Sequence, residues 1–162
     1  YTYYTLNPAY ILSLYYIKIH YMERRSYMTI IQASAYGKTS FQKLLGYNNR
    51  VLTNWSKLGE SLEETHFLNR ELKEEIRRML AQKNGCLYCK AKGKPSNNLN
   101  DSKSVVCIGF TEVYMKLGTN IPNYAIKILK EELSDAEISE LISFITFTTC
   151  QQSFGAIMQL QP

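Results

Sequence analysis

Histidine is almost missing from this chain of 162 residues: His20 and His66 are the only two, and they stand far apart from each other and from the four cysteines. A zinc ion needs four ligands, and the chain has neither a second C-x-x-C nor a paired histidine to complete a site at Cys86 and Cys89. Four prolines and eight glycines are too few for a loop-rich fold. Four unevenly spaced cysteines, Cys86, Cys89, Cys107 and Cys150, are also too few for the disulfide framework of a small secreted domain, so a reducing cytoplasm is expected. No alternating apolar and polar segment, Asn-Gly hairpin or internal repeat occurs, which argues against β-structure and repeat architectures. The net charge of +5 is not concentrated in a basic patch. Arg70, Lys73, Arg77 and Arg78 alternate with Glu71, Glu74 and Glu75, the pattern of a solvated helix face rather than of a nucleic-acid interface.

Residues 1 to 27 hold eight of the 13 tyrosines and an apolar run, Tyr10 to Ile19, broken by Ser13 and Lys18. The run is too short to span a bilayer, and its basic pair, Arg24-Arg25, follows it instead of preceding it as in a secretory signal. Met28 is a natural start for the domain proper, so the chain divides into a tyrosine-rich extension, 1–27, and one domain, 28–162. So much aromatic surface predicts that the extension packs across a subunit interface.

From residue 36 onward the pattern is helical. Phe41, Leu44, Leu45, Leu52, Trp55 and Leu58 predict one helix, capped by Ser40 and ending near Gly59. Leu68, Leu72, Ile76, Met79 and Leu80 mark a second, stopped by Asn84-Gly85. Asp101 or Ser102 starts a third, apolar on Val105, Val106, Ile108, Phe110, Val113, Tyr114 and Leu117, and Gly118 closes it. Pro122 opens a fourth. Ser134-Asp135-Ala136-Glu137 forms a capping box before the last, with Ile138, Leu141, Ile142, Ile145, Phe154 and Met158 on its core side. The fold class is all-α.

Between the second and third helices lies Asn84-Gly85-Cys86-Leu87-Tyr88-Cys89-Lys90-Ala91-Lys92-Gly93-Lys94. A thiol at a helix start, with Lys83, Lys90, Lys92 and Lys94 nearby, has its thiolate form favoured and becomes a nucleophile that its neighbour can resolve as a disulfide. The alternatives are a structural zinc half-site or two inert buried thiols. Glu74 and Glu75 read either as surface partners of Lys and Arg or as catalytic acids, while Cys107 and Cys150 read as core residues.

These residues carry a resemblance. Leu68 to Cys89, with Glu74 twelve positions before Cys86, resembles the alkylhydroperoxidase D / carboxymuconolactone decarboxylase family. Gly37-Lys38-Thr39-Ser40-Phe41 through Trp55, and Leu133 to Leu141, resemble its leading and closing helices, so the similarity spans roughly 36 to 158. The resemblance implies an oligomeric helical bundle that acts as a thiol-dependent peroxidase or thiol–disulfide oxidoreductase. Its substrate would be a small peroxide or disulfide, reduced with an external thiol or dithiol and no bound cofactor. By carry-over Cys89 attacks the peroxide, Cys86 resolves, and Glu74 ends a proton relay. The family's histidine four places after the second cysteine is Gly93 here, and Tyr88 holds the place of the histidine between the cysteines. Glu74 can meet the cysteine turn only if the chain reverses at Gly85, because an unbroken helix would separate Glu74 from Cys86 by roughly 18 Å. The alternative is a non-catalytic or redox-sensing helical oligomer. Lactone decarboxylation, the family's other chemistry, does not rely on a cysteine pair.

Overall fold

The computed structural model describes residues 29–96 and 98–162. The tyrosine-rich extension and the interface expected of it lie outside the described residues. Among those described, seven helices and no strands occur: α1 (Ser40–Leu45), α2 (Asn49–Glu63), α3 (Arg70–Lys83), α4 (Leu87–Ala91), α5 (Ser102–Leu117), α6 (Asn123–Glu132) and α7 (Asp135–Ile157). The fold is all-α. None of these helices is long and apolar enough to cross a membrane.

Helix α3 is the centre of the assembly. Asn69 opens it by accepting a 2.8 Å hydrogen bond from the Leu72 N–H, and Glu71 and Lys83 sit at the ends where the helix dipole favours them. Leu72, Ile76 and Leu80, one residue per turn, form its buried face, and Leu68 just before the helix extends it. That face meets Cys107 and Phe110 of α5, and Leu141, Phe144 and Ile145 of α7, with Leu129 and Leu133 closing the end of the core. Burying each such side chain contributes about 1.5–3 kcal/mol, so the α3–α5–α7 contact sets the frame in which the cysteine turn is held.

The first predicted helix is two. Asn48 interrupts it: its carboxamide oxygen accepts from the Val51 N–H at 3.1 Å and so starts α2, leaving α1 as a short separate turn. The cap of α1 is Thr39, not Ser40, in a capping box with Gln42. Helix α2 runs past Gly59, because that glycine is a packing site: a Cβ there would lie 3.4 Å from the Phe147 ring. Leu58, Val105 and Ile142, expected on apolar faces, are exposed, and so is Cys150, expected in the core. Glu75 departs in the other direction. It is buried and accepts hydrogen bonds from the Ser96 N–H and hydroxyl, at 2.7 and 2.9 Å to its two oxygens.

The later caps fall where local chemistry placed them. Asp101 caps α5, Gly118 ends it, and Pro122 precedes α6. Ser134 and Glu137 form a reciprocal capping box at α7. Glu137 also binds the Lys103 ammonium at 2.6 Å. Lys103, then the Ser134 N–H and hydroxyl, hold its carboxyl down at about 2 from an ordinary 4.5. A carboxyl with a depressed folded pKa contributes stability above its unfolded value and loses it as pH falls. Glu137→Gln keeps the box but loses the charge, and is therefore expected to lower the melting temperature at pH 7 by roughly 2–4 °C, the shift that about 1 kcal/mol of charge-assisted over neutral hydrogen bonding makes in a chain of this size. Melting curves of both proteins should converge between pH 4.5 and about 2.

Candidate redox site

The turn after α3 reverses the chain. Asn84 ends the helix by donating its N–H to the Leu80 carbonyl at 3.0 Å, and Gly85 follows at φ +75°, a conformation side chains disfavour. Cys86 is then the N-cap of α4, its sulfur accepting from the Cys89 N–H at 3.2 Å. The two cysteines are joined as a disulfide, with Cα atoms 5.2 Å apart. Cys86 is fully buried, whereas Cys89 keeps 9% of its surface.

The floor under the disulfide comes from α7. A Cβ on Gly155 would stand 2.8 Å from the Cys86 sulfur and 3.9 Å from that of Cys89, so only glycine fits beneath the pair. Ala81 and Ala156 pack at its sides. Beyond α7 the chain folds back, and the Leu160 carbonyl accepts from the Tyr88 N–H at 3.4 Å. Gln152, buried one turn before Gly155, accepts from the Asn84 side chain at 2.9 Å and donates to the Arg77 carbonyl at 3.0 Å. Neither Gly155 nor Gln152 was singled out from sequence, because a glycine and a glutamine inside an apolar helix carry no local sign of what they face.

Glu74 does come back to the turn, through an intermediary. The Arg77 guanidinium binds the Glu74 carboxylate twice, at 2.6 and 2.9 Å, and extends its third nitrogen to the Cys89 carbonyl at 3.2 Å. Arg78 binds Glu74 as well, at 2.7 Å. The Arg77 hydrogen bond, opposed by burial and seconded by Arg78, holds the Glu74 carboxyl below its ordinary range, so it stands as a paired carboxylate. Arg77, three residues after Glu74 on one helix face, is thus the residue that links the acid to the cysteine turn. Gly93 lies against the same pair. Its φ is +127°, and a Cβ there would sit 3.3 Å from the Arg78 Nε. The backbone is shaped for glycine at the position where the resembling family carries histidine.

The remaining thiols and charges are placed differently. Burial, then the nearby carboxylates of Glu137 and Asp101, push the Cys107 thiol up to about 12, so it is inert in the core. Lys83 and Lys94 point to solvent, whereas the Lys92 ammonium stacks over the Tyr88 ring, 4.8 Å from its centroid. His66 is at the surface beside Glu64, 3.5 Å away. Among the described residues no three His, Cys, Asp or Glu side chains gather as a metal-binding group.

A cavity of about 310 Å³ opens against the disulfide. Of the two cysteines, Cys89 lines it and Cys86 does not. Tyr88, Lys92 and Arg77 border it on the α3–α4 side, and Trp55, Ser56, Glu60 and Glu63 on the α2 side. An aromatic cluster fixes the α2 wall: Phe41 and Trp55 lean on Phe154 and Phe147 of α7, with centroids 5.2 to 6.0 Å apart. The cavity shares Glu60, Glu63, Arg77 and Lys92 with a larger groove of about 710 Å³ that continues past Arg70 and Glu74. The arrangement sets one cysteine, Cys89, at the border of the cavity and its partner, Cys86, behind it. No protein-family model matches the chain, and no curated protein is significantly similar to it.

Proposed function

We propose that the protein is a thiol–disulfide oxidoreductase that reduces a small peroxide with Cys89 and Cys86 and is recharged by an external thiol. The observation that carries this reading is the asymmetry of the pair: Cys89 borders the cavity, and Cys86 lies directly behind it, already in bonding reach. The Cys89 thiolate attacks the terminal oxygen of the peroxide, the O–O bond breaks, and the alkoxide leaves with a proton from water. Cys89 is now a sulfenic acid. The Cys86 thiolate attacks its sulfur, the S–S bond forms, and hydroxide leaves as water once protonated. Two external thiols then return the pair to dithiol and depart as their own disulfide.

The resemblance to the alkylhydroperoxidase D family supports the same assignment of roles and suggests a homo-oligomer with that family's helical bundle. It needs no bound cofactor, and its disulfide cycle suits a reducing compartment. A positioned general acid typically contributes about 10² to 10⁴ in rate, so a site with Gly93 and Tyr88 in place of imidazoles is expected to be slow. The locking of Glu74 between two arginines favours a second reading, a redox-sensing scaffold that forms the disulfide without turning over.

Thiol titration after reduction separates the readings. One equivalent of peroxide is expected to remove two reactive thiols. Cys86→Ser should leave a sulfenic acid on Cys89 that dimedone traps, and Cys89→Ser should abolish peroxide consumption. Retention of both thiols, or unchanged consumption in Cys89→Ser, overturns the redox assignment. Loss of two thiols without catalytic consumption in the presence of reductant selects the sensor.

A further inference from the structure

The cavity beside Cys89 carries opposite charges on facing walls. On the α2 side, Glu60 and Glu63 stand one helical turn apart, and their carboxylates make no ion pair or hydrogen bond among the described residues. On the other side are the Lys92 ammonium over Tyr88 and the Arg77 guanidinium. Arg77 is already engaged by Glu74, so Lys92 is the cation with capacity left for a ligand anion. Cys89 borders the space between these walls. A volume of about 310 Å³ accommodates an amino acid or a di- or tripeptide, not a folded protein.

We infer that the reductant of the Cys86–Cys89 disulfide is a small zwitterionic thiol, an amino-acid or short-peptide thiol, whose ammonium is held by Glu60 and Glu63 and whose carboxylate is held by Lys92. The inference rests on the redox reading above and adds the class of the electron donor. The donor thiolate attacks the Cys89 sulfur, forming a mixed disulfide and releasing the Cys86 thiolate, to which the Cys89 N–H already points at 3.2 Å. A second donor thiolate attacks the donor's own sulfur in that mixed disulfide. The donor disulfide leaves, Cys89 departs as thiolate, and solvent protonates the sulfurs according to pH. Two donor thiols lose two electrons and the protein disulfide gains them. A macromolecular dithiol would have to bring its sulfur into a recess walled by α2, whereas a free zwitterion enters and is fixed at both ends by charge-assisted hydrogen bonds.

The test uses the full chain, oxidised, and four thiols, cysteine (zwitterionic), cysteamine (cationic), 3-mercaptopropionate (anionic) and 2-mercaptoethanol (neutral), at equal thiolate concentration. Each rate is divided by that of the same thiol with a small unstructured disulfide, because thiolate nucleophilicity itself varies with thiol pKa. Disulfide reduction is followed by mass spectrometry of quenched samples. Cysteine is expected to reduce the protein about tenfold or more faster than 2-mercaptoethanol, because hydrogen bonds to charged groups discriminate by that order. Cysteamine and 3-mercaptopropionate should fall between. Glu63→Gln should lower the cysteine to 3-mercaptopropionate rate ratio, and Lys92→Met the cysteine to cysteamine ratio, each severalfold. If all four thiols act within twofold of one another, or the ratios survive both substitutions, charge recognition is overturned and the dithiol cycle stands. If no thiol reduces the disulfide, both this inference and the redox reading fall.

Discussion

Lys73→Met is expected to cost the fold about 3–5 kcal/mol, the largest loss predicted for a single substitution in this protein. Lys73 is 2% exposed, although its helix reads as a charged surface. Its ammonium pairs with Glu140 of α7, donates to the Glu64 carbonyl at the end of α2, and lies 6.0 Å from the Phe144 ring. Glu140 in turn accepts from the Phe67 N–H at 2.9 Å, so one ion pair ties α3, α7 and the 64–67 connection together. Burial alone would raise the Glu140 carboxyl, but Lys73 and the Phe67 N–H outweigh it and hold the group below its ordinary range. Methionine fills the volume and removes the cation, leaving a carboxylate in a site that no longer suits it. Urea unfolding at pH 7 measures the loss. Lys73→Met combined with Glu140→Leu should recover part of it, because removing both charges is cheaper than stranding one. A single-substitution loss below about 1 kcal/mol would show that water reaches the pair.

Gly155→Ala has the second largest expected effect, and it depends on redox state. Alanine is ordinarily better than glycine inside a helix by about 1 kcal/mol. Here the added methyl would meet the Cys86 sulfur at 2.8 Å, closer than real contacts allow. In the disulfide that sulfur is bound to Cys89 and cannot rotate away; in the dithiol it can. The oxidised protein is therefore expected to lose about 1–3 kcal/mol and the reduced protein less. The difference appears as a rise in reduction potential, roughly 30 mV for each 1.4 kcal/mol. Equilibration against a thiol buffer reads the potential, and thermal melts of both forms read the stability. An unchanged potential would mean that α7 moves aside instead.

What was legible in the sequence and what was not divides along a physical line. Asp101, Asn84-Gly85 and the Ser134–Glu137 box were readable because a cap satisfies backbone groups within three or four residues of itself. The α3 stripe of Leu72, Ile76 and Leu80 was readable because one helix face repeats its burial. The all-α class follows from these together. The break at Asn48 was hidden because Leu44, Leu45, Leu52 and Trp55 keep helical spacing across it. At the site, the cysteine pair announced itself, but its surroundings did not. Gly155 and Gln152 act across some seventy residues of chain on Cys86, Asn84 and Arg77, and nothing near them in sequence reports that. Buried Lys73 and Glu75 were hidden for a related reason: a charged residue in a charged helix looks solvated until its partner arrives from another element.

The seal that α7 places over Cys86 also makes that sulfur a clock for opening. Helix α4 has five residues, too few to persist without its neighbours. It is held by the Tyr88 to Leu160 hydrogen bond and by the sulfur lodged against Gly155. In the dithiol protein a pulse of alkylating agent therefore labels Cys89 before Cys86, which reacts only during excursions in which the end of α7 lifts. The lag between the two labels, followed in rising denaturant, gives the free energy of that excursion. Backbone amides of residues 86–89 and 155–160 should exchange with deuterium at one common rate, as a single unit whose release is distinct from global unfolding.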